Sequence, residues 1–213
     1  MYIRQMSNNE IAKDDLPDGH GLFHTDSTGV LVIRDFLSED DFNRVQTQVH
    51  KYARHMSNEF NERVQRKQYR ITEDTVYRMF SRGYVREKLH DAGFTNHIFD
   101  KTNEGIDYRF YCEGGFMHWH KDVVLFDPPQ YEVVFTLHDD SDCLFVYKSK
   151  SGKDNSIKTE PNSAVIVRAG GVTHRVARIN RGTRSILKLI LRQADSTELE
   201  EPIEFEVPEI IQK

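Results

Sequence analysis

The sequence lacks the features that define several large classes of protein. It contains only two cysteines, Cys112 and Cys143, which are too few for a disulfide scaffold and are expected to be reduced thiols. No apolar run reaches the roughly 18 residues of a membrane span. Residues 1–15 are polar and acidic rather than basic and then apolar, so no signal peptide is recognised. These absences predict a soluble, cytoplasmic protein with no membrane partner.

An excess of charge of one sign is also missing. The 213 residues include 29 Lys and Arg against 34 Asp and Glu, a net charge of −5, which disfavours nucleic acid as a general partner. Aromatic residues make up 11% of the chain, which excludes wholesale disorder. A chain of this length is typical of one large domain that buries about 70% of its unfolded surface.

The ends of the chain differ from its centre. Residues 1–29 are polar and contain a Pro-Asp-Gly turn signal, so we interpret them as an N-terminal arm. Residues 193–213 contain seven carboxylates against one lysine, which is typical of an acidic, solvated tail. Residues 30–192 between them are predicted to form a single domain.

Helices are predicted in the first part of that domain, over residues 38–93. Ser38 is followed three residues later by Asp41, the pattern of a capping box. Apolar residues then recur at three- and four-residue spacing as far as Met56, which predicts a long amphipathic helix. A second helix is predicted to end at Gly93. The basic, tyrosine-containing stretch 61–90 is interpreted as a solvated helical face rather than a nucleic-acid interface.

From about residue 107 the pattern changes to short β-rich runs separated by turn signals. Their spacing favours an all-β barrel over alternating βαβ units, with the helices on one outer face. The fold class predicted is therefore mainly β, a double-stranded β-helix (jelly-roll or cupin-like) barrel. The predicted strands are 107–111, 116–124, 131–137, 144–148, 164–168, 175–179 and 185–192.

One strand carries a pattern suited to binding a metal. Side chains alternate between the two faces of a strand, so His118, His120 and Asp122 are expected on one side and Trp119 in the core on the other. His174, which follows two glycines, is the best candidate for a third ligand. Two histidines and one carboxylate form the facial triad that suits non-haem Fe(II) and leaves coordination positions open.

The last predicted strand carries two cations on one face. Alternation places Arg184, Ile186 and Lys188 together, opposite an all-leucine side that suits packing against helices. A buried unpaired cation is costly, so this face is either solvated or meets an anion. A guanidinium can hold a carboxylate through two parallel hydrogen bonds, which a lysine cannot reproduce.

With these motifs, the sequence resembles the Fe(II)/2-oxoglutarate-dependent dioxygenases, in particular their prolyl 4-hydroxylase-like branch. The likeness covers most of residues 30–192 and its motifs occur in the family's order. The segments that carry it are VLVIRDFLSEDDF from Val30, Tyr111-x-x-Gly114-x5-His120-x-Asp122, Pro161–Val167, His174-x-Val176 and Gly182-x-Arg184-x-Ile186.

The resemblance implies both the reaction and the residues that perform it. His120, Asp122 and His174 would bind Fe(II), and Arg184 would pair with the distal carboxylate of the cosubstrate 2-oxoglutarate, with Tyr111 as a further contact. The implied activity is hydroxylation of a substrate by O2 with release of succinate and CO2, and ascorbate is an additional cofactor to test. Peptidyl proline is the favoured substrate, ahead of a free amino acid or other small molecule. Nothing in the sequence indicates an oligomeric state.

The sequence departs from the family at three places. Residues 140–144 replace a Gly-Gly-Glu-like element, and Arg184 stands where many members of the branch have lysine. His118 has no role in the family pattern, and a structural role is expected for it.

Of two other interpretations of the barrel, the sequence disfavours a cupin and leaves a non-catalytic binding module open. The His118-x-His120 spacing resembles the metal motif of a cupin, but that pattern expects a glutamate and a glycine where this chain has Val124, Leu125 and Cys112. A jelly roll that binds a partner without catalysis is the alternative from a different functional class.

Overall fold

The fold is dominated by strands in a computed structural model that describes residues 29–101, 105–195 and 198. The helices are α1 (Glu39–His50), α2 (Asp74–Phe80) and α3 (Gly83–Asp91), with a 3-10 turn at Ala53–His55. The strands are β1 (Val30–Ile33), β2 (Ser57–Phe60), β3 (Val64–Ile71), β4 (His97–Phe99), β5 (Ile106–Tyr111), β6 (Phe116–His120), β7 (Tyr131–Asp139), β8 (Phe145–Lys148), β9 (Asp154–Ile157), β10 (Ala164–Arg168), β11 (His174–Val176) and β12 (Arg184–Gln193).

All the strands of the described part belong to one antiparallel sheet that curls back on itself. The strand order is β1-β10-β7-β12-β5-β3-β6-β11-β8-β9, with β2 paired to β3 and β4 paired to β12. Two apolar clusters link strands that are distant in this order. One joins Phe145 on β8 to Val165 on β10, and the other joins Val176 on β11 to Ile186 on β12. The sheet therefore closes around an interior, as the predicted barrel requires.

The main core lies between the helices and the outer face of β5, β7, β10 and β12. Phe135 on β7 is fully buried against Phe80 of α2, with ring centroids 5.0 Å apart, and against Phe36, 6.0 Å away. Leu187 and Leu189 on β12 belong to the same cluster. The prediction that the leucine side of this strand packs on the helices is confirmed.

The middle of the predicted helical region contains two strands instead of a helix. The helix that begins after Ser38 ends at His50 and does not reach Met56, and β2 and β3 lie between it and α2. The prediction of helices throughout 38–93, with a solvated helical face over 61–90, is therefore wrong for residues 57–71. Polar residues hide the alternation of β3, because Arg66 occupies one of its buried positions.

The helix boundaries follow the expected end signals. The Ser38 hydroxyl caps α1 by accepting a hydrogen bond from the backbone N–H of Asp41 at 3.2 Å. The helix α3 ends at Asp91, two residues before Gly93, whose φ of 94° is a conformation that glycine readily adopts.

Other predictions from the sequence have mixed outcomes. Cys112 and Cys143 are both free. Within the described residues, no helix has both the length and the apolar character needed to cross a membrane. The strand β12 extends to Gln193, while nearly all of the predicted arm and most of the predicted tail lie outside the described residues. The division into arm, domain and tail stays a prediction.

Candidate active site

Three predicted ligands converge inside the curled sheet. His120 and His174 are paired across β6 and β11, and their ring centroids are 4.3 Å apart. The Asp122 carboxylate lies 3.4 Å from Nε2 of His174 and 3.8 Å from Nε2 of His120. One ligand atom from each of the three residues lies within 4.8 Å of the others. This is the donor set and the close grouping that a facial triad requires.

Hydrogen bonds to backbone carbonyls orient both imidazoles. Nδ1 of His120 lies 2.8 Å from the carbonyl oxygen of His118, and Nδ1 of His174 lies 3.2 Å from that of Val172. A carbonyl only accepts, so each Nδ1 carries the proton and each Nε2 keeps its lone pair toward Asp122. Burial, and then the neighbouring His174, lower the pKa of His120, which favours the neutral form that binds metals.

Hydrogen bonds to Gly170 and Gln130 fix the loop that carries Asp122. The backbone N–H of Gly170 donates to the carbonyl of Asp122 at 3.0 Å, and a Cβ at Gly170 would lie 3.0 Å from Val124. The buried Gln130 side chain accepts from the N–H of Leu125 at 3.0 Å and donates to the carbonyl of Val123 at 2.8 Å. Glycine at 170, with a φ of 70°, therefore permits the close approach that sets the position of Asp122.

Arg184 is the second distinctive feature of this interior. It is 1% exposed, and among the described residues none of its three guanidinium nitrogens has a hydrogen-bond partner. Its Nε lies 3.6 Å from Asp139, but that carboxylate is already 2.5 Å from Nζ of Lys158 and accepts from the Ser141 hydroxyl at 2.6 Å. A buried guanidinium with unused donors is costly unless an anion joins it. The site therefore fits a carboxylate.

The other cation on this face of β12 is paired within the protein. Nζ of Lys188 lies 2.8 Å from the buried carboxylate of Glu132 on β7. The sequence predicted that this face of β12 is either solvated or meets an anion, and Lys188 and Arg184 differ in this respect. Lys188 lies within hydrogen-bond distance of a protein anion, whereas Arg184 has only the longer 3.6 Å contact with Asp139 and none of its donors is used in a hydrogen bond.

Tyr111 lies beside Arg184 on the neighbouring strand. The two residues are Cα partners across β5 and β12, and Tyr111 is 1% exposed. Its hydroxyl accepts a hydrogen bond from Nη1 of Arg66 at 3.1 Å. The five predicted site residues all line one cavity that opens to solvent.

The structure does not bring His118 into this cavity. Two steps along β11, from His174 to Val176, match three along β6, from His120 to Met117, so β6 contains an extra residue there. This bulge places Met117 at the cavity and leaves the His118 side chain exposed. The expectation that His118 faces inward is wrong, and only its backbone carbonyl contacts His120.

Trp119 is also not in the core. Its half-buried ring lies 4.6 Å from Nζ of Lys148 and 4.8 Å from the guanidinium of Arg175, both within cation–π range.

Further residues line the cavity that the sequence did not indicate as site residues, among them Arg109, Met117 and Glu132. Arg109 could have been found, because it lies two residues before Tyr111 in a predicted strand and therefore on the same face. Glu132 could have been found as a carboxylate in an otherwise apolar strand. Met117 depends on the bulge, for which the sequence gives no signal.

Solved structures with a similar fold identify this architecture. The fold is similar to a prolyl-4-hydroxylase from Pseudomonas putida, with a TM-score of 0.61 and 15% identity over 79% of this chain and 94% of that one. It is also similar to a Trichoplax adhaerens prolyl hydroxylase in complex with a hypoxia inducible factor peptide, with a TM-score of 0.63 and 15% identity over 82% and 88%. The chain has the fold of the 2-oxoglutarate- and Fe(II)-dependent oxygenases. The predicted jelly-roll class is thereby confirmed.

A third similar structure handles a different kind of molecule. HygX from Streptomyces hygroscopicus, with nickel, 2-oxoglutarate and hygromycin B bound, matches with a TM-score of 0.58 and 11% identity over 79% of this chain and 84% of that one. No family model and no curated protein sequence matches the chain. The donor set at residues 120, 122 and 174 is consistent with Fe(II), and these oxygenase folds are consistent with 2-oxoglutarate as cosubstrate.

Proposed function

We propose that this protein is a 2-oxoglutarate- and Fe(II)-dependent dioxygenase that hydroxylates its substrate and releases succinate and CO2. The observation that carries the proposal is a single cavity with a His-Asp-His triad and, on a facing strand, a buried arginine whose donors are unused. Each half of the site suits one end of a 2-oxo dicarboxylate. A metal bound by the triad suits the oxo-acid end, and Arg184 suits the distal carboxylate.

The proposed roles follow from the contacts of each side chain. His120, Asp122 and His174 would hold Fe(II), with both imidazoles already oriented by backbone carbonyls. Arg184 would bind the distal carboxylate of 2-oxoglutarate, and Tyr111 would donate to it from the neighbouring strand. The bound iron and cosubstrate would supply the oxidising chemistry, while the protein holds the target C–H bond beside them.

The charges of the site support a dianionic cosubstrate. Lys158 matches the charge of Asp139, and Glu132 matches that of Lys188. An Fe²⁺ ion with the Asp122 carboxylate and the Arg184 guanidinium then leaves an excess of two positive charges. A dianion such as 2-oxoglutarate would bring this buried site close to neutrality.

Peptidyl proline is the substrate that we favour, because two of the similar folds are prolyl hydroxylases. A specific observation supports a second candidate, a charged small molecule. Beyond the proposed ligands, the residues that line the cavity include the charged Arg109, Glu132 and Lys188, and HygX, which has a similar fold, holds hygromycin B. A cytoplasmic location stays a prediction from the sequence.

The proposal is tested by anaerobic titration of the metal-free protein with Fe(II) and then 2-oxoglutarate. We expect the weak visible charge-transfer band of the chelate in the wild type and in His138→Ala, a control at an exposed histidine. His174→Ala should lose the band because a ligand is removed. Absence of both iron and 2-oxoglutarate binding in the wild type would contradict the proposal and favour a non-catalytic binding module.

The two substrate classes are separated by the turnover that each stimulates. A proline-containing peptide should accelerate 2-oxoglutarate consumption if the target is peptidyl proline. Stimulation by free amino acids or other charged small molecules, and not by the peptide, would favour the second candidate. Binding to nucleic acid that falls steeply with salt would contradict both.

A further inference from the structure

We infer that Arg66 is a positioning residue for the cosubstrate, acting through Tyr111. In this arrangement Arg66 directs the Tyr111 hydroxyl so that it donates to the carboxylate bound by Arg184. The inference rests on the proposed function, since it assumes that 2-oxoglutarate occupies the cavity. Arg66 lies on β3, outside every motif that carries the family resemblance.

The Arg66 guanidinium is held in one orientation by four partners. Its side chain is 5% exposed, and its Nε donates to Glu59 of β2 at 2.5 Å. Its Nη1 lies 3.1 Å from the Tyr111 hydroxyl and 3.6 Å from Sδ of Met117, and its Nη2 lies 3.4 Å from Oε1 of Gln68. Contacts to β2, β3, β5 and β6 together fix the planar fork of donors.

This geometry decides the direction of the hydrogen bond to Tyr111. A guanidinium has only donors, so the phenol oxygen must accept from Arg66. The phenol proton then points elsewhere, and no described residue accepts it within hydrogen-bond distance. Because Tyr111 is fully buried, its proton needs an acceptor inside the cavity. A ligand carboxylate is the group that would supply one.

The acceptor that this proton would reach is defined by strand register. Tyr111 and Arg184 are cross-strand partners, and such pairs have Cβ atoms about 5 Å apart. An anion on Arg184 therefore lies beside the phenol. Burial lowers the pKa of Arg66, but Tyr111 and Glu59 raise it and the net shift is upward, so the guanidinium stays charged.

A double-mutant cycle on ligand binding tests the inference. Full-length protein loaded with Zn(II) is titrated by calorimetry with 2-oxoglutarate and with oxalate, which chelates a metal but has no distal carboxylate. The variants are Arg66→Met, Tyr111→Phe and the double variant. Lys67→Met is the matched control, because Lys67 is a solvent-exposed cation on the same strand. Arg66→Lys serves as a second variant, since it keeps a cation for Glu59 but lacks the fork.

The expected result is specific to one ligand and non-additive. Affinity for 2-oxoglutarate should fall about tenfold in Arg66→Met and in Tyr111→Phe, with less than a further twofold loss in the double variant. The affinity of these variants for oxalate should be unchanged, and Lys67→Met should bind both ligands as tightly as the wild type. Equal losses for both ligands would show a structural role, and additive losses of about a hundredfold would show that Arg66 acts independently of Tyr111. Either outcome would overturn the inference.

Failure of the proposed function has a different signature. In that case the wild type itself would not bind 2-oxoglutarate, or Arg184→Met would bind it as tightly as the wild type. Binding that depends on Arg184 but not on Arg66 would leave the proposed function standing and remove only the role of Arg66.

Discussion

Nζ of Lys188 lies 2.8 Å from Oε2 of Glu132 inside the same cavity as the candidate metal ligands. Burial raises the pKa of Glu132, and Lys188 only partly opposes that rise. Four residues earlier on β12, Arg184 has no hydrogen-bond partner among the described residues. One strand thus carries a cation that the fold has neutralised and another that it has kept available, and the two should respond differently to substitution.

Removing Lys188 should destabilise the protein. Lys188→Met leaves the Glu132 carboxylate buried without its counterion, and we expect a loss of about 3 kcal/mol in the free energy of unfolding. Urea denaturation at pH 7 measures it. The double variant Lys188→Met/Glu132→Leu should recover most of the loss, because no buried charge remains. A single variant as stable as the wild type would contradict this account of the pair.

Removing Arg184, in contrast, should weaken the binding of 2-oxoglutarate without destabilising the ligand-free protein. In Arg184→Met a buried guanidinium without hydrogen bonds is replaced by an apolar chain, while Asp139 keeps Lys158. We expect the ligand-free variant to unfold at the same temperature as the wild type or above it. Its binding of 2-oxoglutarate should weaken by roughly 2–5 kcal/mol. Thermal unfolding with and without 2-oxoglutarate measures both, and strong destabilisation without ligand would show that Arg184 is mainly structural.

His118 should be dispensable for metal binding. Its side chain is exposed, and only its backbone carbonyl, which any residue supplies, contacts His120. His118→Ala is therefore expected to bind metal within about twofold of the wild type, since surface substitutions typically change free energies by less than about 0.5 kcal/mol. Competition with a metal-sensitive dye provides the measurement, with His120→Ala as the control that loses binding. Loss of affinity in His118→Ala would place its imidazole at the metal after all.

Strand alternation predicted the barrel well, and it failed where the alternation is broken or concealed. In β12 the apolar and charged residues alternate cleanly, so both the leucine side and the cavity side were predictable. In β6 one extra residue reverses the sides of Met117 and His118, and a bulge leaves no mark in the residue types.

In β3, Arg66 occupies an inward position that apolar residues usually fill, so the strand does not stand out in the sequence. The burial of Arg66 depends on Glu59 and Tyr111, which lie on other strands. Contacts of that kind depend on tertiary structure and cannot be predicted from local pattern. The residues proposed to bind the cosubstrate could be named from the sequence, whereas the residue proposed to orient one of them could not.

His97 should contribute a measurable acid sensitivity to the fold. Its half-buried ring lies between Phe94 and Tyr131, with centroids 5.4 Å and 5.6 Å away, and burial lowers its pKa from 6.5 to about 4. The unfolded chain therefore binds this proton more readily than the folded one. The associated stability is present above pH 6.5 and is lost as the pH falls from 6.5 toward 4.

We expect this term to be about 1–2 kcal/mol, after the full pKa difference is reduced for solvent screening at a half-buried ring. His97→Phe keeps an aromatic ring without a titrating group. Between pH 7 and pH 4.5, its free energy of unfolding should therefore fall by less than that of the wild type, and the difference should equal the contribution of His97. Urea unfolding at a series of pH values gives the comparison, with His50→Phe at an exposed histidine as the control. Stability curves that run parallel for His97→Phe and the wild type would mean that His97 protonates as easily in the folded protein as in the unfolded chain.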